Sequence, residues 1–145
     1  VGSRKKKSTR VLPREVFLSH SHKDKAFTAK LAEELRRHGI AAWYSERNIA
    51  GAQQWLDEIG AALERCDWFI VILTPDAVKS KWVKREISDA LMDDRYNERI
   101  VPLLVKACKV RQLAWPLATL QIIPFQAFKR GLTELLRIWG IGYRP

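Results

Sequence analysis

The sequence predicts an α/β domain: a five-stranded parallel sheet with helices packed on both faces. Three observations predict it. Short apolar runs alternate with segments of helical period from Glu15 to Trp139. The run Trp68–Leu73, WFIVIL, is apolar without a break, as a strand buried on both faces must be. The chain has 145 residues, 47% of them hydrophobic, which suits one globular core and leaves no room for two.

The elements follow in order. Val16–Ser19 reads as a short buried strand. Lys25–Arg37 is a helix with Phe27, Leu31 and Leu35 on one face, ended by Gly39. Ile40–Tyr44 is the second strand. Ser45–Ala52 is a polar loop containing Gly51, and Gln53–Arg65 is a helix with Trp55, Ile59, Ala62 and Leu63 inward. Trp68–Leu73 is the central strand, stopped at Thr74-Pro75. Trp82–Met92 is a helix striped by Val83, Ile87, Ala90 and Leu91. Ile100–Val105 and a weaker Leu120–Pro124 supply the last strands, with an irregular stretch between them that has space for a short helix. Gly131–Trp139 closes the chain with Leu132, Leu135, Leu136 and Trp139 inward.

Right-handed crossovers leave few topologies for such a chain, and five strands favour the flavodoxin-like order 2-1-3-4-5. In that order a ligand crevice opens beyond the carboxyl ends of the strands, where strands 1 and 3 diverge. Topology alone therefore sends Ser19–Asp24 and Thr74–Glu86 to the crevice, with Ser45–Ala52 nearby.

The net charge of +10 is unevenly placed. Arg4, Lys5, Lys6, Lys7, Arg10 and Arg14 precede the first acid, so the remaining chain carries only +4. Residues 1–14 read as a solvated basic linker, which suggests a further N-terminal domain in a longer protein; an arm for an anionic surface is the other reading. Residues 15–145 form the domain. They show no aromatic–basic interleaving of the kind that stacks bases, so nucleic acid is not an expected partner. No apolar run reaches membrane-spanning length. Cys66 and Cys108 have neither metal-ligand spacing nor a disulfide framework, which points to a reducing, cytoplasmic setting.

The segment after strand 3 carries the chemistry. Trp82 and Glu86 lie four residues apart, one helical turn above the other. With Val83 at zero, they fall near about 260° and 300°, bordering an apolar stripe from about 340° to 80°. Asp89 and Asp93 extend that border. A carboxylate beside an indole can hold sugar hydroxyls while the ring excludes water. By spacing alone, an ordinary amphipathic helix with a glutamate at its rim explains the pattern too. Competing constellations are weaker. His20, His22 and Asp24 crowd one loop with no distant fourth ligand, so no metal is expected. There is no G-x-S-x-G elbow, no phosphate-cradling glycine loop, and no aspartate at the end of strand 3 for a phosphoacceptor.

A family resemblance adds to this reading. Val16-Phe17-Leu18-Ser19-His20-Ser21 resembles the opening strand and loop of a TIR (Toll/interleukin-1 receptor) domain of the bacterial, NAD-cleaving type. Ala42–Ile49 resembles the second strand running into the BB loop, and Trp55–Ile59 the helix after it. Cys66–Pro75 is similar to the third strand, and Ile100-Val101-Pro102 to the fourth. Ser80-Lys81-Trp82-Val83-Lys84-Arg85-Glu86 resembles the stretch holding the catalytic glutamate. The likeness covers about residues 15–140, in order.

The resemblance implies that Glu86 is catalytic in cleaving NAD⁺ at the nicotinamide–ribose bond. It implies that Trp82 walls the site and that Phe17, Ser19, Trp43 and Arg47 contact the nucleotide. NAD⁺ would be substrate, with no cofactor. Other TIR copies would be partners through the loop Ser45–Ala52, in antiphage defence or cell death. The alternative it leaves open is a non-enzymatic adaptor that signals by homotypic assembly. The loop has Ala50-Gly51 where relatives often carry Pro-Gly, and Tyr44-Ser45 where many have an aspartate second.

Overall fold

The computed structural model describes residues 12–46 and 52–145. Most of the Ser45–Ala52 loop, Arg47 included, lies outside them. Five parallel strands form one sheet in the order β2-β1-β3-β4-β5. They are β1 (Val16–Ser19), β2 (Ala42–Tyr44), β3 (Trp68–Leu73), β4 (Ile100–Leu104) and β5 (Ile123–Pro124). The helices are α1 (Lys25–Arg37), α2 (Ala52–Arg65), α3 (Pro75–Lys79), α4 (Lys81–Leu91), α5 (Val110–Leu113) and α6 (Phe128–Ile138). The predicted sheet order is the observed one.

Strand alternation divides the core in two. Val16, Leu18, Ile70 and Ile72 face α1 and α6, packing with Leu31, Leu35, Leu132, Leu135 and Leu136. Phe17, Phe69, Val71 and Leu73 face the other way, against Ile59, Leu63, Val83 and Ile87 of α2 and α4. All of β3 after Trp68 is fully buried, each large side chain contributing roughly 1.5–3 kcal/mol. Register pairs Phe17 with both Trp43 and Phe69, and Ser19 with Val71, so β1 stops at Ser19 while β3 runs two residues further, to Leu73, beside the crevice.

Four boundaries differ from the sequence reading. Ile40 lies in the turn that closes α1, not in β2. Its N–H donates to the Leu35 carbonyl across Gly39, whose φ of +85° makes that reversal. Leu120 closes the 3-10 turn Trp115–Thr119, so β5 begins only at Ile123. Pro75–Lys79 forms a helix of its own, with Thr74 as N-cap. α6 starts at Phe128, a turn before Gly131, because Phe128 packs edge-on against Phe27 and Phe125.

At the opposite edge, Pro13 is buried and the Arg14 amide donates to Asp67, which fastens the entering chain to the sheet. Both cysteines are free, and burial pushes the Cys66 thiol up to about 12. Among the described residues, no helix is long and apolar enough to cross a membrane.

Candidate functional site

Ser80 caps α4 by accepting from the Val83 N–H at 3.2 Å, which fixes where the helix starts. Val83, Ile87 and Ala90 then lock one face onto the core, and Glu86 is carried over the end of β1. There the Ser19 hydroxyl donates to Glu86 Oε1 at 2.6 Å. Glu86 is only 7% exposed. Among the described residues no cation pairs with it. Burial raises its pKa from the ordinary carboxylate value to about 7, and the Ser19 hydrogen bond pulls against that rise.

A cleft of about 370 Å³ opens above this pair. Trp82 and Trp55 form one wall, edge to face with centroids 4.3 Å apart. Trp55 Nε1 donates to Ser45 Oγ at 2.5 Å, and the Arg85 guanidinium lies 5.2 Å from the Trp82 ring. The turn after β1 lines the same cleft, with His20, Ser21 and Lys23. Ser21 Oγ accepts from the Lys23 N–H, which shapes that turn. Burial holds His20 below its usual range, so its imidazole is neutral at pH 7; its ring sits edge-on to Tyr44 at 5.8 Å. Lys25 and Lys79 join Lys23 on the lining, and none of the three forms an ion pair among the described residues. The cleft thus sets a buried carboxylate against several exposed cations. Among the described residues no group of three or more acids, histidines or cysteines is arranged to hold a metal ion.

Residues 16–136 match a protein family described as the TIR domain. The chain belongs to that family.

Among relatives of this TIR domain is an NAD(+) hydrolase, TcpC of Escherichia coli, 32% identical over 94 residues. That match covers 61% of this chain and 30% of the relative. The 2′ cyclic ADP-D-ribose synthase AbTIR of Acinetobacter baumannii is 30% identical, over 66% of this chain and 36% of its own. A probable 2′ cyclic ADP-D-ribose synthase, TcpO of Methanobrevibacter olleyae, is 27% identical, over 69% of this chain and 30% of its own. The chain thus spans about a third of the length of these relatives. Among solved structures, the TIR domain of a Toll-related receptor from Hydra magnipapillata superposes with a TM-score of 0.67 at 21% identity. It covers 84% of this chain and 97% of that one. A prokaryotic SEFIR domain gives 0.64 at 13%, over 88% and 99%. These two likenesses show the fold.

In this TIR domain the expected site residues separate into three groups. Glu86, Ser19 and Trp82 come together: the first two are hydrogen-bonded, and Trp82 lines the same cleft as Glu86. Phe17 does not line it. It is 1% exposed, one pleat below Ser19, stacked on Phe69 and tilted against Trp43, so it has no surface to offer a ligand. Trp43 is half-buried beside it and supports the site from below. Arg47 lies outside the described residues. Asp89 is exposed and not on the cleft border, and Asp93 turns away to accept from Arg95.

Sequence reasoning missed Trp55, assigned to the core face of its helix, and the three lysines. The lysines stand in or beside the segments that topology sends to the crevice, and that position was the available signal.

Proposed function

We propose that this TIR domain cleaves NAD⁺ at the nicotinamide–ribose bond and that Glu86 is the catalytic group. The observation that carries the reading is the Glu86 carboxylate: 7% exposed, bonded to one hydroxyl, beside two indoles in an open cleft. A protein ordinarily pairs a buried carboxylate with a cation. Here a cationic ligand is the missing countercharge.

The chemistry fits that charge. As the C1′–N bond breaks, its electron pair goes to the nicotinamide nitrogen, which leaves neutral and needs no general acid. Positive charge then builds on the ribose at C1′, where a carboxylate stabilises it. Water or a substrate hydroxyl captures C1′ and gives up a proton. The approach of a cationic ring favours ionised Glu86, so binding itself draws the group out of its half-protonated state. Lys23, Lys25 and Lys79 at the rim suit the anionic diphosphate of the same ligand. Relatives named as NAD(+) hydrolase and 2′ cyclic ADP-D-ribose synthase support the reading.

We place the activity in a cytoplasmic antiphage or cell-death response. It belongs there to a longer chain with an N-terminal domain, and copies assemble through the Ser45–Ala52 loop. The deciding experiment incubates the protein with NAD⁺ and measures nicotinamide. Glu86→Gln keeps the shape and the acceptor for Ser19, and is expected to lose ~10²–10³ in rate with unchanged circular dichroism. A parent protein that releases no nicotinamide, even when concentrated, would favour a non-enzymatic adaptor.

A further inference from the structure

Asp24 stands where an aspartate ordinarily serves its own helix. It closes the 3-10 turn His22–Asp24 and occupies the N-cap of α1, yet its side chain makes no capping bond. Its Oδ2 instead accepts from Thr74 Oγ1 at 2.5 Å, across a separation of 50 residues. Both partners are buried, at 8% and 0% exposure. Thr74 is fully engaged as well. Its oxygen accepts from the Ala77 N–H at 3.1 Å and so caps α3. One hydroxyl thus fixes α3 through a lone pair and the first loop through its proton.

The two segments tied this way pack on each other and both line the cleft, one bearing Ser21 and Lys23, the other Asp76 and Lys79. Ser19 to Glu86 is a second tie from the end of β1, but it uses the carboxylate that must engage the ligand. A wall spacing that survives a change of partner at Glu86 needs a tie independent of Glu86. Asp24–Thr74 is such a tie, short and buried.

We infer that the Asp24–Thr74 hydrogen bond is a positioning strut that holds the turn after β1 against the start of α3, so that the two segments line the cleft in the arrangement the ligand requires. It keeps Lys23 and Lys79 placed for the anionic part of a ligand whose cationic end meets Glu86. This inference rests on the NAD⁺ reading above. The strut touches no reacting atom, so its loss belongs to binding and not to the chemical step.

The test compares Thr74→Val, which removes the donated proton and with it the cap of α3, with Thr74→Ser, which restores both, and Asp24→Asn, which keeps an accepting oxygen and leaves the cap in place. Thr74→Val is expected to raise KM for NAD⁺ about tenfold or more while kcat stays within about twofold. Thr74→Ser and Asp24→Asn should stay near the parent, and the pH profile set by Glu86 should not move. Amide hydrogen exchange over Ser21–Lys25, read on the same proteins, should quicken about tenfold or more in Thr74→Val only. If Thr74→Val does not fold, Asp24→Ala against Asp24→Asn takes its place with the same readouts. If the parent releases no nicotinamide, the proposed function falls, and the exchange rates alone then judge the strut. Unchanged KM and unchanged exchange in Thr74→Val overturn it. So does a parallel loss of kcat, KM and melting temperature in every variant, including Thr74→Ser.

Discussion

A carboxylate that is 7% exposed, with a single hydroxyl partner, is held away from water, so its proton is linked to folding. The pKa of Glu86 is raised on folding to about 7. Between the unfolded value and that figure the native state binds more protons than the unfolded one. Stability is therefore fullest below the unfolded pKa and falls as pH rises through about 7. Glu86→Gln carries no such term. Its stability relative to the parent should grow by on the order of 2–3 kcal/mol between about pH 5 and pH 8.5, measured by urea denaturation. A constant difference across that range would mean that Glu86 titrates alike in both states. The same proton governs catalysis. If NAD⁺ is the substrate, kcat/KM should rise with pH through about 7 as Glu86 ionises. Ser19→Ala removes the one hydrogen bond favouring the ionised form. It should move that rise upward by roughly one pH unit or more, since a hydrogen bond to a charged group contributes ~1.5–3 kcal/mol. A profile that stays in place would remove Ser19 from the tuning of Glu86.

At the scale of elements, Gly131 shows how packing overrides local preference. Alanine is the better helix former by about 1 kcal/mol, and position 131 lies inside α6. Yet a Cβ there would meet the Phe125 ring at 2.5 Å. That ring is 2% exposed and wedged edge-on between Phe27 and Phe128, so it has nowhere to swing. Overpacking of this kind costs ~1–3 kcal/mol. Gly131→Ala should lower the melting temperature despite its better propensity, and Phe125→Leu in the same chain should recover part of the loss. The same glycine explains why the start of α6 was misread: its sequence signal says break, and its reason is a ring six residues earlier. Elements whose cause is their own composition were legible in the sequence. β3 is apolar throughout and α4 carries a clear stripe, so both were read to within a residue. Elements caused by distant partners were not. The five-residue helix after Leu73 has a local start signal in Thr74, Pro75 and Asp76, but it is too short to show a helical period. The site divides in the same way. Topology brings Ser19 and Glu86 to one crevice, while strand alternation sets Phe17 beneath Ser19 in the core. Which way Asp24 turns from its own helix is a tertiary fact that no local period encodes.

The whole molecule raises the question of completeness. Glu86, itself buried, lines an open cleft together with Ser45 and Trp55, so in one copy alone a ligand held against its carboxylate still meets water across the mouth of the cleft. Water weakens the attraction between a carboxylate and a developing cation, and excluding it strengthens that attraction severalfold. A second copy covering the opening would supply the exclusion. Ser45 lines the cleft, and in the sequence it is followed by Glu46 and Arg47, opposite charges that suit a contact between two copies. Association has to overcome the chain's net charge of +10. Dilute protein should therefore be monomeric and slow, and specific activity on NAD⁺ should rise with protein concentration or with a tether that joins copies. Arg47→Ala should flatten that rise, with the melting temperature followed alongside to separate lost assembly from lost folding. The measurement is nicotinamide release per molecule across a wide dilution series, with sedimentation at each concentration. Full activity in protein shown to be monomeric would mean that each cleft is self-sufficient, and assembly would then have to serve something other than completing the site.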